Sequence, residues 1–203
     1  GTVAGLVHAQ THYGKLDLTT VIQPAIDLAE QGFAMTAGLN MTINSRAERL
    51  AKNPEAKRIY LLGGSQAPPI GAIFKQSDLA ATLKRIRDRG HDGFYRGKTA
   101  ALIATDMAAN GGLMTLDDLA GYAPIERQPV RGSFHGFDIV SSPPPSSGGV
   151  HIIQMLNLLE PYPLAEYGHN SAAYLHRLIE SMKLAYADRS QHMGDPDEHA
   201  VPL

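Results

Sequence analysis

The chain has 203 residues, no cysteine and a net charge of −2, with 43% hydrophobic and 19% charged residues. That balance is ordinary for a globular chain and leaves no basic surplus to draw it to nucleic acid or to an anionic membrane. The missing cysteines exclude disulfides, thiolate nucleophiles and cysteine metal sites, and no apolar run approaches the roughly 20 residues of a membrane span.

In chain order, the opening "GTVAG" has neither an initiator methionine nor a signal peptide, and the close "DEHAVPL" has no terminal helix. Both ends read as cuts through a longer protein. "TTVIQPAIDLAEQG" places Ile22, Ala25, Ile26 and Ala29 at helical spacing, with Pro24 expected near the first turn and Gly32 at the stop. "KRIYLL" is a weak strand candidate before Gly63–Gly64. The loop from Gly63 to Pro69 is the one hinge that the sequence suggests, and "APPIGAIF" reads as an extended connection. "SDLAATLKRIRDRG" is a helix expected to be capped by Ser77, with Leu79, Leu83 and Ile86 on one face. "GKTAALIATDMAANGG" repeats the plan with Ala100, Ile103, Ala104 and Met107, and "TLDDLAGY" offers a Thr115–Asp118 capping box.

"QPVRGSFHGFDIVSSP" carries two β-prone pieces about a glycine and predicts a hairpin near residues 129–142. A helix follows with Ile152, Met155, Leu156 and Leu159 as its buried face, stopped by Pro161. The longest helix is expected from Asn170 to about Met193. A stripe of Leu175, Leu178, Ile179, Met182 and Tyr186 should be buried in it, with Arg177, Glu180 and Lys183 wholly or partly outside. No internal repeat or low-complexity linker is present.

Most polar groupings favour structure over chemistry. His8 and His12 share a helix face, as a zinc pair would, but no third ligand lies nearby in sequence. "GDPDEH" clusters Asp195, Asp197 and Glu198 without the oxygen spacing of a calcium loop and reads as a solvated turn. Asp117 and Asp118 point about 100° apart on a helix, so they cap rather than face each other across a substrate. Gly63–Gly64 and Gly111–Gly112 lack the lysine of a phosphate loop.

The stretch "SSPPPSSGGVHIIQMLNLLE", Ser141 to Glu160, is the strongest candidate for a functional loop. A catalytic Ser146 or Ser147 needs a base within hydrogen-bond reach. His151 is the residue to test, and no lysine follows until Lys183. The structural reading accounts for every residue. The prolines end a strand, a serine caps the next helix (Ser147 suits a cap better than a helical position), and Gly148 and Gly149 let its first turn approach other backbone.

The same "PPPSSGG" leading to "IIQMLNLLE" resembles the γ-glutamyltransferase (γ-glutamyl transpeptidase) family. "GTVAG", "YGKLDLTTVIQPAIDLAEQGF", "SDLAATLKRIRDRGHDGFYRG", "NGGLMTLDDLAGY", "KLAYADRS" and "GDP" at Gly194 to Pro196 follow in order. The resemblance implies a mostly helical α/β (α+β) segment of the αββα N-terminal-nucleophile hydrolase fold, two β-sheets between helical layers. It implies a single precursor that cuts itself into a large and a small subunit. The new N-terminal threonine of the small subunit is then the nucleophile, with its own α-amine as base, and an upstream arginine binds the substrate α-carboxylate.

On this resemblance residues 1–203 form one internal segment of the large subunit, incomplete at both ends. Neither the threonine nor the arginine lies within it. "THY" at Thr11 to Tyr13 sits in the wrong context, so no catalytic, substrate-binding or metal residue transfers onto a position here, and no cofactor is implied. The expected partners are the rest of the large subunit and the small subunit. The expected substrates are γ-glutamyl amides such as glutathione, the acyl group passing to water, amino acids or peptides, and the expected location is periplasmic or extracellular. The alternatives are a cephalosporin-type acylase segment, or a non-enzymatic helical interaction module without a large exposed apolar face.

Overall fold

The computed structural model describes residues 1–202, which divide into two compact units, Gly1–Pro124 and a second beginning at Ile125.

The first unit is helical. It begins with α1 (Thr2–Tyr13) and α2 (Leu18–Gln31), the latter capped by Asp17, whose carboxylate accepts from the Thr20 N–H at 2.6 Å. Starting the helix at Leu18 moves Pro24 beyond the first turn, where it was expected, into the helix interior. There Pro24 is exposed, so the carbonyl four residues back, deprived of a donor, lies on the outer side. Gly32 ends α2 at φ 86°. A two-residue strand β1 (Phe33–Ala34) follows, then α3 (Ala37–Asn44), α4 (Ala47–Leu50) and α5 (Pro54–Tyr60).

The last of these overturns the strand expected at "KRIYLL". Asn53 Oδ1 accepts from the Ala56 N–H at 2.9 Å and Pro54 opens the helix. Glu55 stands in the first turn and Lys57 and Arg58 in the last, matching the helix dipole at both ends. End chemistry outweighs the β-prone Ile59 and Tyr60. The strand lies instead in the presumed connection: β2 (Ile73–Phe74) pairs antiparallel with β1, Phe33 opposite Phe74 and Ala34 opposite Ile73. A second two-stranded ribbon thus joins the hairpin expected further on.

Four helices complete the unit: α6 (Ser77–Arg89), α7 (Asp92–Tyr95), α8 (Gly97–Ala109) and α9 (Leu116–Gly121). Gln76, not Ser77, occupies the cap of α6 and makes no side-chain bond, because Ser77 is already helical. The packed face of α6 runs through Ala80 and Ile86, while Leu79 is exposed. Ile26 of α2 is fully buried. Elsewhere Met35, Ile43, Leu61 and Phe74 form one core and Ala4, Tyr95, Ala100 and Leu119 another. At Gly93 a Cβ would overlap the Arg85 carbonyl, so α7 turns directly on the backbone of α6. The Arg85 Nε donates to Thr99 Oγ1 at 2.7 Å, and Thr99 donates to the Gly93 carbonyl at 2.8 Å.

In the second unit β3 (Val130–Phe134) and β4 (Phe137–Ser141) form the expected hairpin, Val130 opposite Ser141 and Phe134 opposite Phe137. His135 and Gly136 make the two-residue turn with φ 47° and 82°, both positive as a tight right-twisted hairpin requires. The His135 N–H donates to Glu160 at 2.9 Å, fastening the turn to the far end of α10 (Ser147–Leu159). A 3₁₀ turn (Leu164–Tyr167) leads to α11 (Ala172–His192), capped by Ser171.

The packing of both helices departs from the expected faces. In α10 Gly149, His151 and Leu159 are buried whereas Ile152 is exposed, because the hairpin meets the Gly149 side. In α11 the buried residues are Ser181 and Ala185, while Leu175, Ile179, Met182 and Tyr186 are exposed and Leu178 is half-buried. Small residues let α11 lie close against α10, and the apolar stripe stands about 100° round the helix from that seam. Arg177 is half-buried, its guanidinium 4.3 Å from the Tyr167 ring centre and 5.1 Å from that of Tyr162, with Nε buried and without a hydrogen-bond partner. Glu180 and Lys183 lie outside as expected, joined at 2.9 Å.

The expected capping box on α9 is complete: Thr115 Oγ1 accepts from the Asp118 N–H at 3.2 Å and the Thr115 N–H donates to Asp118 at 2.8 Å. The Thr115 hydroxyl and N–H hold the Asp118 carboxyl below its ordinary range, and the Thr20 N–H and hydroxyl do the same for Asp17. Folding therefore favours the ionised forms. Their contribution is complete above the unfolded carboxyl range near about pH 4 and is lost as pH falls through the lowered folded values. Thermal melts from pH 7 to pH 3 should show an Asp17→Asn, Asp118→Asn double variant losing less stability on acidification than the parent. Parallel curves would remove both caps from the account of acid sensitivity.

Candidate functional site

The three prolines after β4 bring the chain to a turn whose Ser146 N–H donates to the Pro143 carbonyl at 3.1 Å. Ser146 is extended, at φ −67° and ψ 123°, and its Oγ accepts from the Gly148 N–H at 3.3 Å. The cap is therefore Ser146. Ser147, the other serine open to that role and one expected to suit a cap better than a helical position, is the first residue inside the helix.

The two glycines have different reasons. A Cβ on Gly149 would overlap the Ser142 carbonyl oxygen, whereas Gly148 meets only Ser146 Oγ, at 3.5 Å. Gly149 is where the first turn of α10 rests on the end of β4. Gly132 does the same for the middle of the hairpin, where a Cβ would stand 2.5 Å from Ile153 Cγ2.

The geometry argues against a serine nucleophile. His151 is 7% exposed, and its Nδ1 lies 2.7 Å from the Ser147 carbonyl oxygen. A carbonyl only accepts, so Nδ1 carries the proton and the ring presents no lone pair to the Ser147 hydroxyl through that nitrogen. The hydroxyl is occupied otherwise: Arg189 of α11 donates to it from Nε at 3.0 Å. A cation donating to a serine oxygen does not take up its proton. Lys183 is engaged by Glu180. Ser147 thus links two helices, and Gln154 of α10 bonds Asp188 of α11 beside it.

One functional-looking cluster escaped sequence reasoning. Arg127, three residues before β3, makes a fork to Asp197 with bonds of 3.2 and 2.6 Å and reaches Asp195 at 3.2 Å. The hydrogen bond to Asp197 holds its guanidinium pKa above the ordinary value. The "GDPDEH" segment is a turn, as expected, with the Glu198 and His199 N–H groups on the Asp195 carbonyl, but it is gripped rather than merely solvated. The fork pairs positions 70 residues apart in sequence, so no local pattern announces it.

The His8 and His12 rings lie 4.0 Å apart on α1, and His12 Nδ1 contacts the His8 carbonyl at 2.9 Å. Among the described residues no group of three or more His, Cys, Asp or Glu is placed to hold a metal ion. Within the second unit a cleft of about 300 Å³ is lined by Leu158, Tyr162, His176, Arg177, Glu180 and Leu184. Within the first, an apolar groove of about 390 Å³ runs between α1, α2 and α6 past Leu6, Val21 and Ile22. No helix among the described residues is long and apolar enough to cross a membrane.

A family model described as Gamma-glutamyltranspeptidase matches residues 1–203. Similar curated proteins include the glutathione hydrolase proenzyme of Escherichia coli (strain K12), 41% identical over 202 residues, which take in all of this chain and 35% of that protein. The Acylase ACY 1 proenzyme of Pseudomonas sp. (strain SE83) is 44% identical over 203 residues, again all of this chain and 36% of that protein. The chain therefore spans about a third of the length of these relatives. Among solved structures, the γ-glutamyltranspeptidase of Helicobacter pylori is similar over all of this chain and 58% of its own, with a TM-score of 0.96 and 43% identity. The cephalosporin acylase of Bacillus halodurans follows the fold at a TM-score of 0.89 and 26% identity, over 98% of this chain and 38% of its own.

Substitutions at the turn separate its parts. Ser146→Ala should cost about 1 kcal/mol of stability as a lost cap. Gly149→Ala should destabilise far more than Gly148→Ala, since only the former drives a methyl into backbone. Denaturant titrations of the three variants check this, and equal losses at the two glycines would contradict the close approach.

Proposed function

Because this chain belongs to the γ-glutamyltranspeptidase family, we propose that it is a large-subunit segment of a γ-glutamyl transpeptidase/hydrolase whose N-terminal-nucleophile fold it shares. The whole-length family match carries this reading. In the reaction the threonine hydroxyl, outside these residues, adds to the γ-carbonyl of glutathione or a related amide. Its proton passes to the threonine's own α-amine and then to the departing amine, leaving a γ-glutamyl ester on the enzyme. Water, an amino acid or a peptide then takes the acyl group and regenerates the hydroxyl.

The part played by these residues is support. The Ser146–Gly149 turn, the Arg189–Ser147 bond and the small-residue seam between α10 and α11 hold helices in place. Arg177, Lys183 and His151 are committed to neighbours within the second unit. No residue here is assigned to the chemistry, to substrate contact or to a cofactor. The exposed stripe Leu175, Ile179, Met182 and Tyr186 supports the segment reading, since a free-standing helical module would bury such a row. The remainder of the large subunit and the small subunit are the partners we assign to it, and the periplasm or the exterior is its proposed location.

A cephalosporin-type acylase is the second reading, favoured by the identity to Acylase ACY 1. It uses the same nucleophile logic with a different acyl group, and the family model's description supports the γ-glutamyl reading ahead of it.

The 203-residue chain alone should not hydrolyse a γ-glutamyl anilide. The full-length protein should split into two subunits and do so, and Ser147→Ala in that protein should leave kcat/KM unchanged. Turnover by the isolated chain that survives repurification and disappears with Ser147→Ala would sink the reading. A mature protein that cleaves a cephalosporin side chain and ignores γ-glutamyl amides would transfer the assignment to the acylases.

A further inference from the structure

The end of α11 and the turn after it are held unlike the rest of the second unit. From Tyr186 to His192 every residue is exposed, and so are Asp195 to Ala200. Apolar burial therefore does little to fix this stretch. Polar bonds do it instead, at three points: Asp188 to Gln154, Arg189 to Ser147, and Asp195 with Asp197 to Arg127. The first two reach α10 and its turn, and the third reaches the root of the hairpin.

The third differs from ordinary surface pairing. The Arg127 side chain is 23% exposed, and its fork makes two bonds to one carboxylate and a third to the next. Asp195 is prepared for it, since its Oδ1 also accepts the Asp197 N–H at 3.1 Å and its carbonyl closes the turn through Glu198 and His199. A planar guanidinium shared by two carboxylates fixes direction as well as distance, which a single lysine contact does not.

We infer that Arg127 is a positioning residue for the maturation of the protein: its grip on Asp195 and Asp197 sets the path by which the polypeptide leaves α11, and conversion of the precursor into subunits depends on that path. The inference rests on the family reading, in which the threonine that becomes the new N-terminus follows this segment in sequence. The relatives matched over the whole chain are proenzymes, consistent with a cut elsewhere in their length. Arg127 touches neither substrate nor the reacting bond. It acts by limiting where the chain beyond the turn can go, and the entropy of a freed segment is the barrier it removes.

The test uses purified full-length precursor, with conversion to two chains followed on the folded, monodisperse fraction well below each variant's melting temperature. Arg127→Gln should slow conversion on the order of tenfold or more, the rate equivalent of one lost charge-assisted hydrogen bond. Arg127→Lys, which keeps the charge without the fork, should recover part of the rate. Asp195→Asn with Asp197→Asn should reproduce the loss, and adding Arg127→Gln to that pair should slow conversion no further, as coupled residues require. Once matured, all variants should keep the parent kcat/KM. Conversion of Arg127→Gln at the parent rate, or a slowing matched by the loss of folded protein, overturns the inference alone. A parent precursor that remains one chain overturns the family reading and the inference with it.

Discussion

The contact between Gly149 and the carbonyl of Ser142 governs the second unit. With no side chain at that position the first turn of α10 sits directly on the end of β4, and the helix then runs back along the hairpin. The approach continues at Gly132 under Ile153, and the hairpin turn is tied by His135 to Glu160 at the other end of α10. Once α10 is laid down in this way, its outer side receives Ser181 and Ala185 of α11. A methyl group at Gly149 would open the strand-to-helix angle and disturb each later contact, because packed interiors have little free volume to absorb it.

Local chemistry was the legible part of this sequence. The Thr115–Asp118 box, the glycine stop at Gly32 and the His135–Gly136 turn all depend on residues within four positions of one another, and each appears where spacing put it. "KRIYLL" reads as a strand only in isolation, because Asn53 and Pro54 begin a helix before its β-prone Ile59 and Tyr60 are reached. Composition offers both Ser146 and Ser147 as the cap of α10, and the backbone angles of Ser146 decide between them. The Arg127 fork was invisible for a different reason: it exists only after two stretches 70 residues apart have folded together.

The stripe on α11 was misread through an assumption about partners. Helical periodicity identifies which residues share a face, and that part was right. It does not say which neighbour covers the face. Within these residues α11 meets α10 through Ser181 and Ala185, and the apolar row is left outward. Under the proposed large-subunit role, that row is the face which the remainder of the subunit would cover.

Two tyrosine arrangements carry an optical consequence. The chain has no tryptophan and eight tyrosines, so tyrosine dominates its near-ultraviolet absorption. In the first unit Tyr95 and Tyr122 stack with ring centres 5.3 Å apart and planes 11° from parallel, while in the second Tyr162 and Tyr167 flank a guanidinium. Rings stacked that closely couple their transitions, whereas rings against a cation also feel its field. Near-ultraviolet circular dichroism follows fixed side-chain packing rather than helix content. The two units therefore contribute bands of different origin to one spectrum, and loosening of either leaves a separate optical trace.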